Sequence, residues 1–164
     1  MNDKKIKLLF IVLGVVSVVS AAFGLFYNIT TLWANHSGGF EELNRKENLI
    51  YFHKAFYAMS TFCIISYILL FFFGLAFLKR KTSYVPLFVI LMITEVIYLF
   101  LIGFVGWGLS GAGHSIAAAS GVANGGLMAQ FIILFPLWGS IVALWAKKKI
   151  QNTHLTTDST ADRE

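Results

Sequence analysis

A chain of 164 residues that is 57% hydrophobic and only 13% charged, with a mean hydropathy of +0.73, carries more apolar surface than a soluble fold of this size hides. Its net charge of +5 would suit a nucleic-acid partner, but the basic residues stand in short clusters flanking apolar runs, which argues against that class. The single cysteine, Cys63, excludes an internal disulfide framework and a cysteine-based zinc finger, and inside an apolar run it reads as a small core residue.

Four apolar runs of membrane-spanning length predict an all-α membrane protein with four transmembrane helices in an antiparallel bundle. The spans are expected at about 8–28, 55–78, 86–109 and 127–146, in one domain over 1–149, with a disordered polar tail over 150–164. The first span follows Lys4, Lys5 and Lys7. Its length exceeds that of a usual signal-peptide core, so it is expected to be retained as a helix. Gly14, Ser17, Ala21, Gly24 and Asn28 recur at spacings of three and four, which lines one face with small side chains that let helix backbones approach.

Residues 29–53 form the only long polar connection. Gly38 and Gly39 interrupt it, and the stretch 40–51 is read equally as a short interfacial helix or a solvated loop. The tripeptides beginning at Asn28 and Asn35 match the glycosylation pattern, which is common by chance. In the second span Phe56, Ser60, Cys63, Tyr67, Leu70 and Gly74 alternate by three and four, a second bundle-facing seam. The short link around Lys79, Arg80 and Lys81 predicts that the second and third helices pack as a hairpin, with Pro86 harmless near the start of the third.

The third span sets one carboxylic acid, Glu95, near its middle. An ionisable side chain at that depth is costly and is a functional-site hypothesis by default. Leu91, Met92, Tyr98, Ile102 and Gly106 share its face, and Gly103 and Gly106 are expected to let a neighbour come close. The uncharged, Gly- and Ala-rich stretch 110–126 is read as a loop, a re-entrant segment or an extension of the fourth helix. The fourth span ends at Lys147, Lys148 and Lys149. Counting basic residues near the span ends predicts cytoplasmic termini. Trp33, Tyr51 and Trp107 then fall at the outer interface, with Tyr84 and Trp145 at the inner one.

Matching the midpoints of antiparallel spans places Ser17, Ser66, Tyr67, Glu95 and Pro136 at one depth. Glu95, Tyr98, Ser17, Ser66, Tyr67 and Gln130 form the expected intramembrane polar site, with Gly14, Ala21, Gly24, Gly103 and Gly106 as helix-packing positions. Pro136 cannot donate to the carbonyl of Ile132, an acceptor within prospective reach of a protonated Glu95. No Lys, Arg or His lies at matching depth, so Glu95 reads either as a neutral acid hydrogen-bonded in the bundle or as a proton- or cation-binding group. Gln130 and Asn124 read as hydrogen bonds between helices or loop caps.

His36, His53, His114 and His154 show no metal-ligand spacing, and no metal or cofactor is expected. The serines have no base beside them, phosphate and dinucleotide loops are lacking, and no known family is recognised from the residues. The expected protein is therefore a non-catalytic, multi-pass accessory, assembly or interaction protein of the plasma membrane, the inner membrane if the source is bacterial. Its partners would be the bilayer and either further copies of itself or other membrane proteins. The alternative is a proton-coupled transporter or channel subunit that uses Glu95.

Overall fold

The structure is a computed structural model that describes residues 3–40, 49–108 and 112–161, with side chains over 4–40, 50–104 and 115–150. Among them the chain is all helical: α1 (Asp3–His36), α2 (Leu49–Leu78), α3 (Val85–Gly108), α4 (Ala112–Ala123), α5 (Gly125–Ile132) and α6 (Phe135–Ala161), with a 3₁₀ turn, Thr82–Tyr84, before α3. Three of these helices are long and apolar enough to cross a membrane, and a fourth span results if α5 and α6, bent by 61°, count as one. Helix is what a long apolar run must form in lipid, because only there does each backbone group find its partner within the segment.

The first two helices end in the same way. At the end of α1, Gly39 N–H donates to Ala34 O at 2.9 Å and Gly38 N–H to Asn35 O at 3.2 Å, with Gly38 at φ 79°. At the end of α2, Lys81 N–H donates to Ala76 O at 2.9 Å and Arg80 N–H to Phe77 O at 2.8 Å, with Arg80 at φ 58°. Both are Schellman caps, which need one left-handed residue, and the second uses an arginine where glycine is the usual occupant.

The most extensive helix pairing is between α1 and α2, antiparallel. A Cβ built at Gly14 would lie 2.9 Å from Gly74 O, and one built at Gly74 would lie 3.0 Å from Gly14 O, so the backbones touch where neither helix has a side chain. Phe10 and Phe77 meet edge to face at 5.8 Å on the same seam. The expected α2 seam is buried throughout, from Phe56 to Gly74.

Beyond their connecting turn α2 and α3 do not form the close hairpin expected from the short link. Aromatic rings hold their axes apart: Phe62 stacks on Tyr98 at 4.0 Å, and Phe88 meets Phe73 at 6.4 Å and Phe77 at 5.1 Å. α3 lies instead mainly against α4 and α6, and α4 packs on α2. There Ala119 and Ala123 join Phe52, Phe56 and Met59 in a second buried cluster toward the end of the molecule away from the Lys79–Lys81 turn.

The fourth run is not one helix. α5 stops at Ile132, Leu134 takes φ 52°, and α6 starts at Phe135. Pro136 therefore sits in the first turn of α6, where a missing N–H costs nothing. Trp138 Nε1–H donates to Ile133 O at 3.0 Å, tying the break together. The residues from 112 onward descend in pieces: Asn124 beside Cys63 and Tyr98, Gly126 beside Tyr67, and Gly139 beside Phe88. The segment 110–126 is thus largely helix, and α6 continues to Ala161 through the stretch read as a tail. α1 also runs eight residues past the expected span end, and α2 starts six residues early.

Candidate functional site

Glu95 is 0% exposed, between the two ends of α3. Leu91 and Met92 are buried on its face, and Tyr98 and Ile102 are half-buried. Neither carboxyl oxygen has a hydrogen-bond partner among the described residues, so the bond to the Ile132 carbonyl is not formed. The chain breaks after Ile132, which makes Pro136 a first-turn residue of α6 rather than a mid-helix defect, and Ile132 itself is 83% exposed.

The hydrogen-bonded centre beside Glu95 is Asn124, at the joint between α4 and α5. Its Oδ1 accepts from Tyr98 O–H at 2.9 Å and from Cys63 S–H at 3.2 Å, and its Nδ2 donates to Ser120 Oγ at 2.9 Å. Three elements are joined by one amide. Cys63 is therefore more than a small core residue, since it donates to this hub.

Tyr67 lies at the crossing of α1, α2 and α5. Its ring packs on Gly24 and its hydroxyl on Gly126. A Cβ at Gly126 would be 3.1 Å from the Gly24 Cα. The hydroxyl has no partner among the described residues. Ser66 is buried beside it on α2.

Ser17 is not at this depth. It lies against Gly74, while Gly24 faces Tyr67, a shift of seven residues, or about 10 Å of helix rise, from the register expected by matching midpoints. The Gly14/Gly74 crossing sets the register, and the apolar run gave a false midpoint because α1 continues to His36. Ala21 is buried on the same face. A Cβ at Gly103 would meet nothing within 4 Å among the described residues, so none of the described helices closes on it, and the surroundings of Gly106 lie outside the described residues.

Gln130, on α5, is 3% exposed, and neither its amide oxygen nor its nitrogen has a partner among the described residues. It lines a groove of about 170 Å³ between α1 and α5, together with Val19, Ser20, Phe23, Gly126, Ala129 and Ile133. Asn28 is fully buried, its Nδ2 donating to Gly24 O at 3.2 Å, and Asn35 is buried too, so neither side chain is presented for glycosylation. No group of three or more potential metal ligands occurs among the described residues, and the side chains of His114 and His154 lie outside them.

No protein family, no curated protein and no solved structure matches this chain.

Proposed function

We propose that this is a multi-pass membrane protein of four spans (α1, α2, α3 and the broken α5–α6 pair) in an antiparallel bundle with both termini cytoplasmic. It acts as a non-catalytic accessory or assembly protein that holds a transmembrane helix of a partner. Orientation rests on charge. Antiparallel pairing brings Lys4, Lys5 and Lys7 to the same end as Lys79, Arg80 and Lys81, and the descent of α5 and α6 carries Lys147, Lys148 and Lys149 there as well.

The observation that carries the reading is Gln130. The groove beside it is walled by Ser20, Gly126 and Ala129, which suits a helix that approaches closely, and the amide, whose two polar atoms are buried and without a partner among the described residues, would meet a hydrogen-bonding side chain there by changing its rotamer. A photo-crosslinker at Ala129 in native membranes is expected to capture one discrete protein partner, and Gln130→Leu to reduce that capture several-fold. Adducts to lipid alone would refute the reading. Self-crosslinks would make the partner a second copy.

A second reading, proton-coupled transport through Glu95, is favoured by the interrupted helices beside the acid, since membrane carriers place binding groups where spans are broken. It predicts that Glu95→Gln and Glu95→Leu both abolish pH-dependent solute flux in proteoliposomes. The accessory reading predicts that Gln is tolerated better than Leu, because it keeps shape and hydrogen-bonding capacity. Infrared difference spectra of wild type and Glu95→Gln would report the carboxyl directly: a protonated C=O band at neutral pH is expected for a dry acid, and its absence would mean that water reaches the site.

A further inference from the structure

A groove of about 450 Å³ runs along the last two turns of α2 to the turn before α3, lined by Phe72, Phe73, Leu75, Ala76, Lys79, Lys81 and Tyr84. Its chemistry changes along its length. The α2 part is hydrocarbon, with Phe72 exposed and Ala76 leaving a hollow. The turn end carries two exposed lysines and the exposed Tyr84. No acidic residue occurs between Glu47 and Glu95, so this stretch of α2, turn and α3 supplies only positive charge.

We propose that this groove binds one anionic phospholipid, the phosphate held between Lys79 and Lys81 with Tyr84 O–H as a further donor, and the start of an acyl chain laid over Phe72, Leu75 and Ala76. A basic recess at the cytoplasmic end of membrane helices is the arrangement that selects anionic headgroups over zwitterionic ones. The apolar floor selects a lipid over free phosphate, because a soluble anion would leave that hydrocarbon uncovered. Arg80 points the same way. It occupies a left-handed cap position where glycine would relieve steric strain, so this turn keeps a third cation despite the conformational cost.

The site rests on the chain crossing a membrane with the Lys79–Lys81 turn at an interface. It does not depend on whether the protein assembles with a partner or transports. The alternative source of such a cluster is the general excess of basic residues that fixes orientation, and a matched control separates the two.

The test uses the full-length protein in nanodiscs of mixed phosphatidylglycerol and phosphatidylcholine, with lipid retained after mild detergent extraction counted by native mass spectrometry. Wild type is expected to retain one phosphatidylglycerol, enriched roughly tenfold to thirtyfold over phosphatidylcholine, the size two interfacial lysines supply. Lys79→Gln/Lys81→Gln should lose that enrichment. Lys147→Gln/Lys148→Gln, which removes the same charge from the same end, should keep it. Ala76→Phe, which fills the hollow and leaves every charge in place, should lower retention several-fold. Millimolar inorganic phosphate should displace nothing.

Equal loss in the two double-lysine variants would overturn the proposal in favour of diffuse charge, as would full retention in Lys79→Gln/Lys81→Gln. Full retention in Ala76→Phe or displacement by phosphate would overturn the lipid as ligand. Failure of the protein to enter nanodiscs at all would instead overturn the membrane reading beneath it.

Discussion

At the scale of single residues the molecule turns on one amide. Asn124 Oδ1 is the acceptor for both Tyr98 and Cys63, so replacing the asparagine strands two donors in a site without bulk water. Asn124→Leu is expected to cost about 1–3 kcal/mol, and Tyr98→Phe about 1 kcal/mol, because Oδ1 keeps its bond from Cys63. The pair should be less damaging than the sum of its parts by about 1 kcal/mol, since the phenol stranded by the leucine is gone in the double variant. Thermal unfolding of the four proteins in one detergent checks this; strict additivity would mean that the Tyr98–Asn124 bond carries no energy. The lone cysteine follows from the same geometry. Cys63→Ser replaces the S–H donor by an O–H donor, whereas Cys63→Ala removes the donor. The serine variant is therefore the suitable cysteine-free background.

At the scale of helices, identical caps carry opposite residues. Gly38 and Arg80 occupy the same left-handed position of the same motif. Gly38→Arg should destabilise the protein by about 1 kcal/mol, and Arg80→Gly should stabilise it by a similar amount, read as unfolding midpoints in zwitterionic detergent where no anionic lipid competes. A lower midpoint for Arg80→Gly would show that its side chain contributes more to the fold than its backbone strain removes. The faces of these helices were legible from spacing: the small residues of α1 and the alternating seam of α2 recur at three and four and are buried. Their register was not, because a pair of glycines, Gly14 and Gly74, fixes it by backbone contact, and no average over an apolar run detects one crossing point. The break in the fourth run was equally hidden. Ile133 and Leu134 are ordinary helix-compatible residues, and only Pro136, two positions later, hinted that the helix restarts there. Sequence position alone marks Asn124 as one linking amide among others and does not single it out as the hub. The available signal was a polar residue just ahead of the Gly125–Gly126 pair, at the seam of two helical stretches.

For the whole molecule, the prediction concerns sidedness. In the Cys63→Ser background, Ser37→Cys should react with a membrane-impermeant maleimide on intact cells, while Ser83→Cys and Lys148→Cys should react only after permeabilisation; all three positions are exposed. Labelling of Ser83→Cys from outside would reverse the bundle. Labelling of Lys148→Cys from outside would remove the fourth span and leave the α5–α6 pair as a re-entrant segment. Three apolar helices of spanning length, and a fourth if the α5–α6 pair counts as one, were readable because length and hydropathy alone define them. Which helix touches which was not, since α4, a short run of Ala, Ser and Gly, displaces the simple up-and-down neighbour order by packing against both α2 and α3.

The length of α1 has a mechanical consequence. Its 34 residues, at about 1.5 Å of rise each, make a rod of about 51 Å against a hydrocarbon layer of about 30 Å. A lean of about 40°, the upper end for such helices, would still leave roughly 9 Å standing clear. The surplus makes α1 a mast. Its lysine-bearing foot and its tip at Asn35 and His36 cannot both lie within the oily layer, and Trp33, 76% exposed one turn below the tip, marks a waterline. In a bilayer the surplus has to emerge at one end or at both, and any thinning or thickening of the membrane would then change the height of the emerging ends, transmitted along one helix.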